Sequence, residues 1–144
     1  MQITVEPNAS AADIAAVLDG LRTYNIGVIG DPREEKVQIF LRDEMGAVVG
    51  GLLGYIRWRW LYVSKLWIDD TLRGQGHGAR LLRTAEDHAR EAGCVGSYLD
   101  TFEYQARPFY EKFGYVLFGT LNGYPPGYCQ FFLSKQLNQV NAAV

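Results

Sequence analysis

The segment Leu66-Trp67-Ile68-Asp69-Asp70-Thr71-Leu72-Arg73-Gly74-Gln75-Gly76-His77-Gly78-Ala79 constrains this chain more than any other. An apolar strand ends in it, a glycine-rich loop follows, and a helix begins. Leu81, Leu82, Ala85 and Ala89 line the inner face of that helix, which is expected over Gln75–Ala92 and is closed by Gly93. Arg83 with Asp87, and Glu86 with Arg90, are spaced as i,i+4 pairs on its outer face. A strand that returns through a helix to another strand, here residues 97–101, makes a parallel crossover. The loop aims unpaired backbone N–H groups and the positive end of a helix dipole at one point, which suits a phosphate. Glycine lets an oxygen approach the backbone where a side chain would block it. Taken alone, the loop also reads as a plain glycine-rich turn.

The flanking sequence builds a sheet around this crossover. Residues 2–6 read as a short first strand stopped by Pro7. Ser10-Ala11-Ala12-Asp13 has the spacing of a helix start, and Ile14, Val17, Leu18 and Leu21 follow on one helical face. Tyr24 to Arg33, with Gly27, Gly30 and Pro32, reads as a loop. Val37, Ile39 and Leu41 alternate as in a strand, and Asp43-Glu44-Met45-Gly46 reads as a hairpin turn. Residues 47–58 and 61–68 are two more strands, antiparallel across a break near Arg59. After strand 97–101, Pro108 and Gly114 bracket a short helix. Residues 116–121 and 128–133 close the sheet on either side of the turn Asn122–Gly127. The expected fold is α/β: a single domain over residues 1–144, with one mixed, mostly antiparallel sheet of about seven strands flanked by helices.

Composition narrows the partners. With 48 % hydrophobic and 21 % charged residues the chain reads as globular. Lys and Arg total 14 against 16 Asp and Glu, so there is no basic field to draw in nucleic acid. No apolar run approaches the roughly 18 residues of a membrane span. The first residues lack the basic-then-apolar pattern of a secretory signal, so the expected compartment is the cytoplasm, with no membrane partner. Cys94 and Cys129 read as ordinary buried thiols, and His77 and His88 have no ligand-spaced companions, so no metal is expected.

Two nucleotide patterns can be tested on the loop. The Walker pattern G-x-x-x-x-G-K-[ST] has no match. Gly74, Gly76 and Ala79 fit the dinucleotide fingerprint, with Asp100 about 20 residues on. Against it, Asp69–Arg73 separates the strand from the first glycine, and the successive crossovers of a doubly wound sheet are missing. Arg73-Gly74-Gln75-Gly76-His77-Gly78 instead resembles the [QR]-x-x-G-x-[GA] signature of the GNAT superfamily of N-acetyltransferases. Ala106-Arg107-Pro108-Phe109-Tyr110-Glu111-Lys112-Phe113-Gly114-Tyr115 resembles that family's A-x-x-[FL]-Y-E-K-x-G-[FY] segment. The order of elements agrees over nearly the whole chain. The resemblance implies acetyl-CoA as cosubstrate, its pyrophosphate held by Arg73, Gly74, Gln75, Gly76, His77, Gly78 and Ala79. It also implies a V-shaped splay between the fourth and fifth strands. There the backbone groups of Leu66, Trp67 and Ile68 would hold the pantetheine chain and polarise the acetyl carbonyl.

Acetyl transfer to an amine needs a neutral amine, a stabilised oxyanion and a protonated leaving thiolate. By the resemblance Tyr110 is the general acid. Phe109 and Phe113, at i,i+4, fit a core role, and Tyr110 points about 100° away from Phe109. Many relatives carry a glutamate in the signature strand, but Val63, Ser64 and Lys65 fill that region here. Asp100, Glu103 and a water relay remain as candidate bases, with Asp69 and Asp70 capping the loop and helix. Tyr24, Trp58, Trp60 and Tyr124 are candidates for the wall of an amine-acceptor site. The same aromatics serve equally as a core edge or a homodimer contact. The alternative function is a coenzyme-A-binding sensor or interaction module without turnover.

Overall fold

The computed structural model describes residues 1–138. Two compact units, Met1–Pro32 and the chain from Arg33 onward, are taken in turn. The first holds α1 (Ala11–Ile29). Ser10 Oγ accepts the Asp13 N–H at 3.1 Å, the cap that the spacing predicts, and its hydroxyl donates to the Asp13 carboxylate at 2.6 Å. The helix continues through Tyr24 and Gly27, where a loop is expected from the sequence. One interior glycine costs only about 1 kcal/mol, too little to stop it. The stop comes at Gly30, with φ +87°, just ahead of Pro32. Residues 2–6 form no strand: Ile3 and Val5 are almost fully exposed and take no sheet partner. The sheet therefore has six strands rather than seven.

The second unit contains β1 (Glu35–Arg42), β2 (Val48–Arg57), β3 (Trp60–Ile68), α2 (His77–Glu91), β4 (Gly96–Phe102), α3 (Arg107–Lys112), β5 (Val116–Asn122) and β6 (Cys129–Gln136). The strand order is β1-β2-β3-β4-β6-β5. Only β3 and β4, the pair joined through α2, run parallel. Asp43 shapes the first hairpin by accepting the N–H groups of Met45 and Ala47, both at 2.9 Å. The second hairpin turns on Trp58 and Arg59 alone, at φ 45° and 62°. Such two-residue turns favour Asn-Gly, because bulky residues resist positive φ. Here the turn is tied down from outside. Arg59 Nε donates to the Gly93 carbonyl at 2.9 Å, its own carbonyl accepts from Val95 at 2.8 Å, and the Arg57 guanidinium lies over the Trp58 ring.

The two faces of the sheet differ. Leu81, Leu82, Ala85 and Ala89 of α2 share one buried cluster with Leu52, Leu61, Val63, Leu99 and Leu133. Each such leucine contributes about 1.5–3 kcal/mol by leaving water. The alternate residues Trp60, Tyr62, Tyr98, Asp100 and Phe102 are half-buried and take the opposite face. Tyr55, Tyr62 and Tyr98 are register partners across three strands, with ring centroids 5.2 and 4.8 Å apart. Glu86 departs from expectation: it lies on the inner side of α2 and is 3 % exposed. Burial is tolerated because Lys135 Nζ donates to it at 2.8 Å, the Tyr115 hydroxyl at 3.2 Å and Arg90 at 3.4 Å. Arg83 does not pair with Asp87 as its spacing suggests; it lies over the Phe113 ring, and Asp87 pairs with Arg90. No helix among the described residues is long and apolar enough to cross a membrane.

Candidate active site

The sheet opens between β3 and β4. Their register runs only from Trp60–Gly96 to Val63–Leu99. Beyond it β3 stays with β2, as far as Ile68 opposite Gly50, and β4 stays with β6, as far as Phe102 opposite Gln130. The cause is a bulge. Leu53 pairs with Lys65 and Gly54 with Val63, so Ser64 is an extra residue that bends β3. Gly54 is required there, since a Cβ on it would stand 2.0 Å from the Tyr62 carbonyl oxygen. The extra residue also shifts the side-chain alternation. Leu61 and Val63 face the core before it, and Leu66 and Ile68 pack on the core after it. Trp67 is then left half exposed.

From Ile68 the chain enters the glycine loop. Asp69 accepts the N–H and hydroxyl of Thr71 at 3.0 and 2.6 Å, which holds its carboxyl below the usual range. It caps a single 3-10 turn over Asp70–Leu72. Arg73 reaches back to the Ile68 carbonyl at 3.3 Å and pairs with Asp70 at 2.7 Å. Gln75 Nε2 donates to the Thr71 carbonyl at 3.3 Å. Gly74 and Gly76 sit at φ +75° and +82°, and a Cβ on either would meet only open space. Gly76 leads into α2 without a side-chain cap, so the first N–H groups of the helix keep no intrahelical or capping acceptor. Gly78 differs from both, because its α-carbon faces the Phe109 ring, which a Cβ would touch at 3.4 Å. His77 Nδ1 is buried with no hydrogen-bond partner among the described residues. Ala79 follows in the first turn of α2.

Tyr110 lies in α3 and is 7 % exposed, more buried than Phe109 and Phe113, for which the i,i+4 spacing predicts the core role. Its ring meets Phe109 and Tyr115 at centroid distances of 5.1 and 6.0 Å. Burial, and then the negative charge of Asp100, push its phenol up to about 12. Asp100 is the first residue of β4 past the last pairing with β3. Its two oxygens accept from the Tyr62 hydroxyl at 2.5 Å and from Gln130 Nε2 at 2.9 Å. Burial first, and then this hydrogen bond, raise the Tyr62 phenol well above its ordinary value. Glu103 is pinned to Cys129: its N–H donates to the Cys129 carbonyl at 2.9 Å and its carboxylate accepts the Cys129 N–H at 3.1 Å.

Of the four aromatic candidates for the acceptor wall, the three in the second unit are not brought together. Trp58 is the first residue of the two-residue turn at the closed end of the V, and Trp60 follows that turn. Trp60 lies roughly 26 Å along β3 from Ile68, at the other end of the strand. The Trp60 indole covers Gly96, where any Cβ would collide with it. Tyr124 lies in the β5–β6 loop, edge-on to Phe102 at 5.4 Å. Tyr24 belongs to α1 in the N-terminal unit. Sequence reasoning missed Tyr62 and Gln130, which hold Asp100, and the stacked rings of Phe102 and Tyr104 beside Tyr124 and Tyr128. The hairpin count from the turn at 58–59 makes Tyr55 and Tyr62 partners, and the alternation Tyr98, Asp100, Phe102 was the other available signal. Cys94 is buried, and burial pushes its thiol up. No group of three metal-ligating side chains occurs among the described residues.

Comparison with known proteins agrees with this arrangement. The family model for GNAT acetyltransferases matches residues 13–115. The chain is 45 % identical over 95 residues to the blasticidin-S acetyltransferase of Streptomyces morookaense, covering 65 % of this chain and 70 % of that protein. It is 34 % identical over 136 residues to acetyltransferase Atu2258 of Agrobacterium fabrum, covering 94 % and 99 %. A crystal structure of a protein described as an acetyltransferase, from Agrobacterium tumefaciens, superposes with a TM-score of 0.88 at 34 % identity, covering 94 % and 99 %. With the opened sheet, the uncapped glycine loop and these relatives in agreement, the chain belongs to the GNAT acetyltransferase family and is an acetyl-CoA-dependent acyltransferase.

Proposed function

We propose that the chain, acting as one acetyltransferase domain, moves the acetyl group of acetyl-CoA to a primary amine by direct attack within a ternary complex. The observation that carries this reading is the opening between β3 and β4 on the strand that runs straight into the uncapped start of α2. The loop suits the coenzyme. Open space over Gly74 and Gly76 and unpaired N–H groups at the start of α2 are what a pyrophosphate requires. Arg73 to Ala79 would hold that group, and the unpaired edge of Leu66–Ile68 would hold the pantetheine chain. Acetyl-CoA supplies the activated thioester. α2 covers one face of the sheet, so the amine reaches the V from the face that carries Asp100.

Asp100 receives the amine in this reading. A carboxylate has about four acceptor positions, and Tyr62 and Gln130 take two. The remainder accept an incoming N–H, and the proton that nitrogen loses as the C–N bond forms and the thioester C–S bond breaks passes to Asp100 and on to solvent. A backbone N–H at the free edge of β3 stabilises the developing oxyanion. The Tyr110 hydroxyl has no partner among the described residues and is not among the sealed buried atoms, so it is free to donate to the departing sulfur. The relative named for blasticidin S makes that compound one of the first amines to try.

The test is release of coenzyme A thiol from acetyl-CoA across a panel of amines, paired with a melting curve. Acetyl-CoA at about 100 times its dissociation constant should add roughly 2.7 kcal/mol of stability. Thiol release that depends on an amine supports the enzyme. A thermal shift with no release for any amine supports the non-catalytic coenzyme-binding module instead. A shift with NADH and none with acetyl-CoA returns the loop to the dinucleotide reading.

A further inference from the structure

The β4 arm of the V ends in a cluster of four aromatic rings. Phe102 and Tyr104 are stacked, with centroids 5.6 Å apart and planes 8° from parallel. Tyr124 meets Phe102 edge-on at 5.4 Å, and Tyr128 meets Tyr104 edge-on at 5.1 Å. Tyr104, Tyr124 and Tyr128 are 57, 50 and 47 % exposed, so much of this ring surface is open to solvent. Two carboxylates flank it. Asp100 lies two residues before Phe102 on the same face, and Glu103 follows Phe102 directly. Neither makes an ion pair with a lysine or arginine among the described residues; their partners are Tyr62, Gln130 and the Cys129 N–H. The arginine on the neighbouring helix, Arg107, is committed to Glu111 at 2.7 Å and to the Phe131 ring. The patch therefore joins electron-rich ring faces to two negative charges that no lysine or arginine side chain neutralises. An apolar tail would satisfy the rings and leave the carboxylates uncompensated, and an anion would be repelled. A cation satisfies both.

We propose that this cluster is a specificity site for a second positive charge on the acceptor. The substrate class is a primary amine that carries another cationic group, ammonium or guanidinium, roughly 7 Å from the reacting nitrogen. That spacing is two residues of strand, from Asp100 to Phe102. The reacting amine sits at Asp100 and the second cation over the rings, within reach of Glu103. A planar guanidinium suits the site particularly, since it stacks on aromatic faces and is weakly hydrated. The inference rests on the acetyltransferase reading above and extends it to the class of acceptor.

Agmatine and n-pentylamine are the probes. Both carry a primary amine on a short chain, and only agmatine ends in a guanidinium. Calorimetry with the full chain saturated with coenzyme A measures their binding without turnover. Agmatine should bind at least five-fold more tightly than pentylamine. Tyr124→Leu and Tyr104→Leu should each weaken agmatine roughly 2- to 30-fold, the range of a single cation–ring contact, and leave pentylamine unchanged. Tyr124→Phe keeps the ring face and should retain the wild-type affinity. Unchanged coenzyme A affinity shows that each variant is folded. Equal affinity for the two probes, or no measurable binding of either to coenzyme-loaded protein, overturns the proposal. So does a leucine variant that changes oligomeric state in size-exclusion chromatography while agmatine binds as before, which would make the rings a contact between copies. Failure of coenzyme A itself to bind sinks the acetyltransferase reading; failure of the agmatine preference alone leaves that reading in place.

Discussion

Replacing Tyr110 by phenylalanine asks how much acid catalysis this site supplies. The phenol is pushed up to about 12, by burial first and by the charge of Asp100 second. An ordinary thiol titrates near 8.5, so complete proton transfer to the departing sulfur is uphill by about 3.5 units, or about 5 kcal/mol. In the proposed mechanism the hydroxyl would therefore act as a hydrogen-bond donor to developing negative charge, not as the source of a whole proton. A hydrogen bond to a charged partner is worth about 1.5–3 kcal/mol, which converts to a loss of about 10- to 150-fold in kcat. The ring remains against Phe109 and Tyr115, so coenzyme affinity and melting temperature should hold. The sign of the pH dependence follows from the same shift. The donor is the neutral phenol, present at lower pH and lost only as pH rises through about 12, so Tyr110 adds no falling limb to the rate below about pH 10. Thiol release under conditions where chemistry limits the rate is the assay. A Phe variant within two-fold of wild type would refute this role and return Tyr110 to the core, where its burial alone would place it.

Three further outcomes are expected. Gly76→Val should weaken acetyl-CoA at least about ten-fold by calorimetry, because the branched carbon enters the open space of the loop at a φ of +82° that it resists; equal affinity would mean the loop is only a turn. Gly54→Ala should destabilise the chain by about 1–3 kcal/mol or more in urea, since its Cβ would stand 2.0 Å from the Tyr62 carbonyl oxygen; a neutral result would show that the V does not depend on the bulge. Glu86→Ala should cost about 3 kcal/mol, because it strands the largely buried Lys135 ammonium. The double change Glu86→Leu with Lys135→Met should cost distinctly less, and equal losses would show that the ion pair is not the reason.

What was legible in the sequence was whatever a short run of residues decides by itself. Ser10 with Asp13, Asp43 in its turn, Pro108 and Gly114 around α3, and the Gly74–Gly78 loop all act through neighbours in the chain. The misreadings arose where distant partners decide. Residues 2–6 have strand composition, but a strand needs a neighbour and finds none. Glu86 looks like a solvated helix position until Lys135 and Tyr115, far along the chain, bury it. Trp58 and Trp60 look like an acceptor wall until the two-residue turn fixes them at the closed end of the sheet.

The part of the site that was hardest to see is the part that creates it. Val63-Ser64-Lys65 shows only an absent glutamate when it is scanned for a carboxylate. In the sheet, Ser64 is the extra residue, and its effect is geometric instead of chemical. Before it, strict alternation sends Tyr62 to the face opposite α2, in register with Tyr98 and within 2.5 Å of Asp100. After it, the reversed alternation returns Leu66 and Ile68 to the core and frees the strand edge that faces β4. A strand without the bulge would keep pairing with β4 past Val63, and the V would close. A strand bulged ahead of Tyr62 would send it to the core face and leave Asp100 without its donor. In the mechanism proposed above, the carboxylate missing from β3 is supplied from the opposite arm, where a β3 tyrosine donates to it. That exchange works only because the sheet opens one residue beyond their contact.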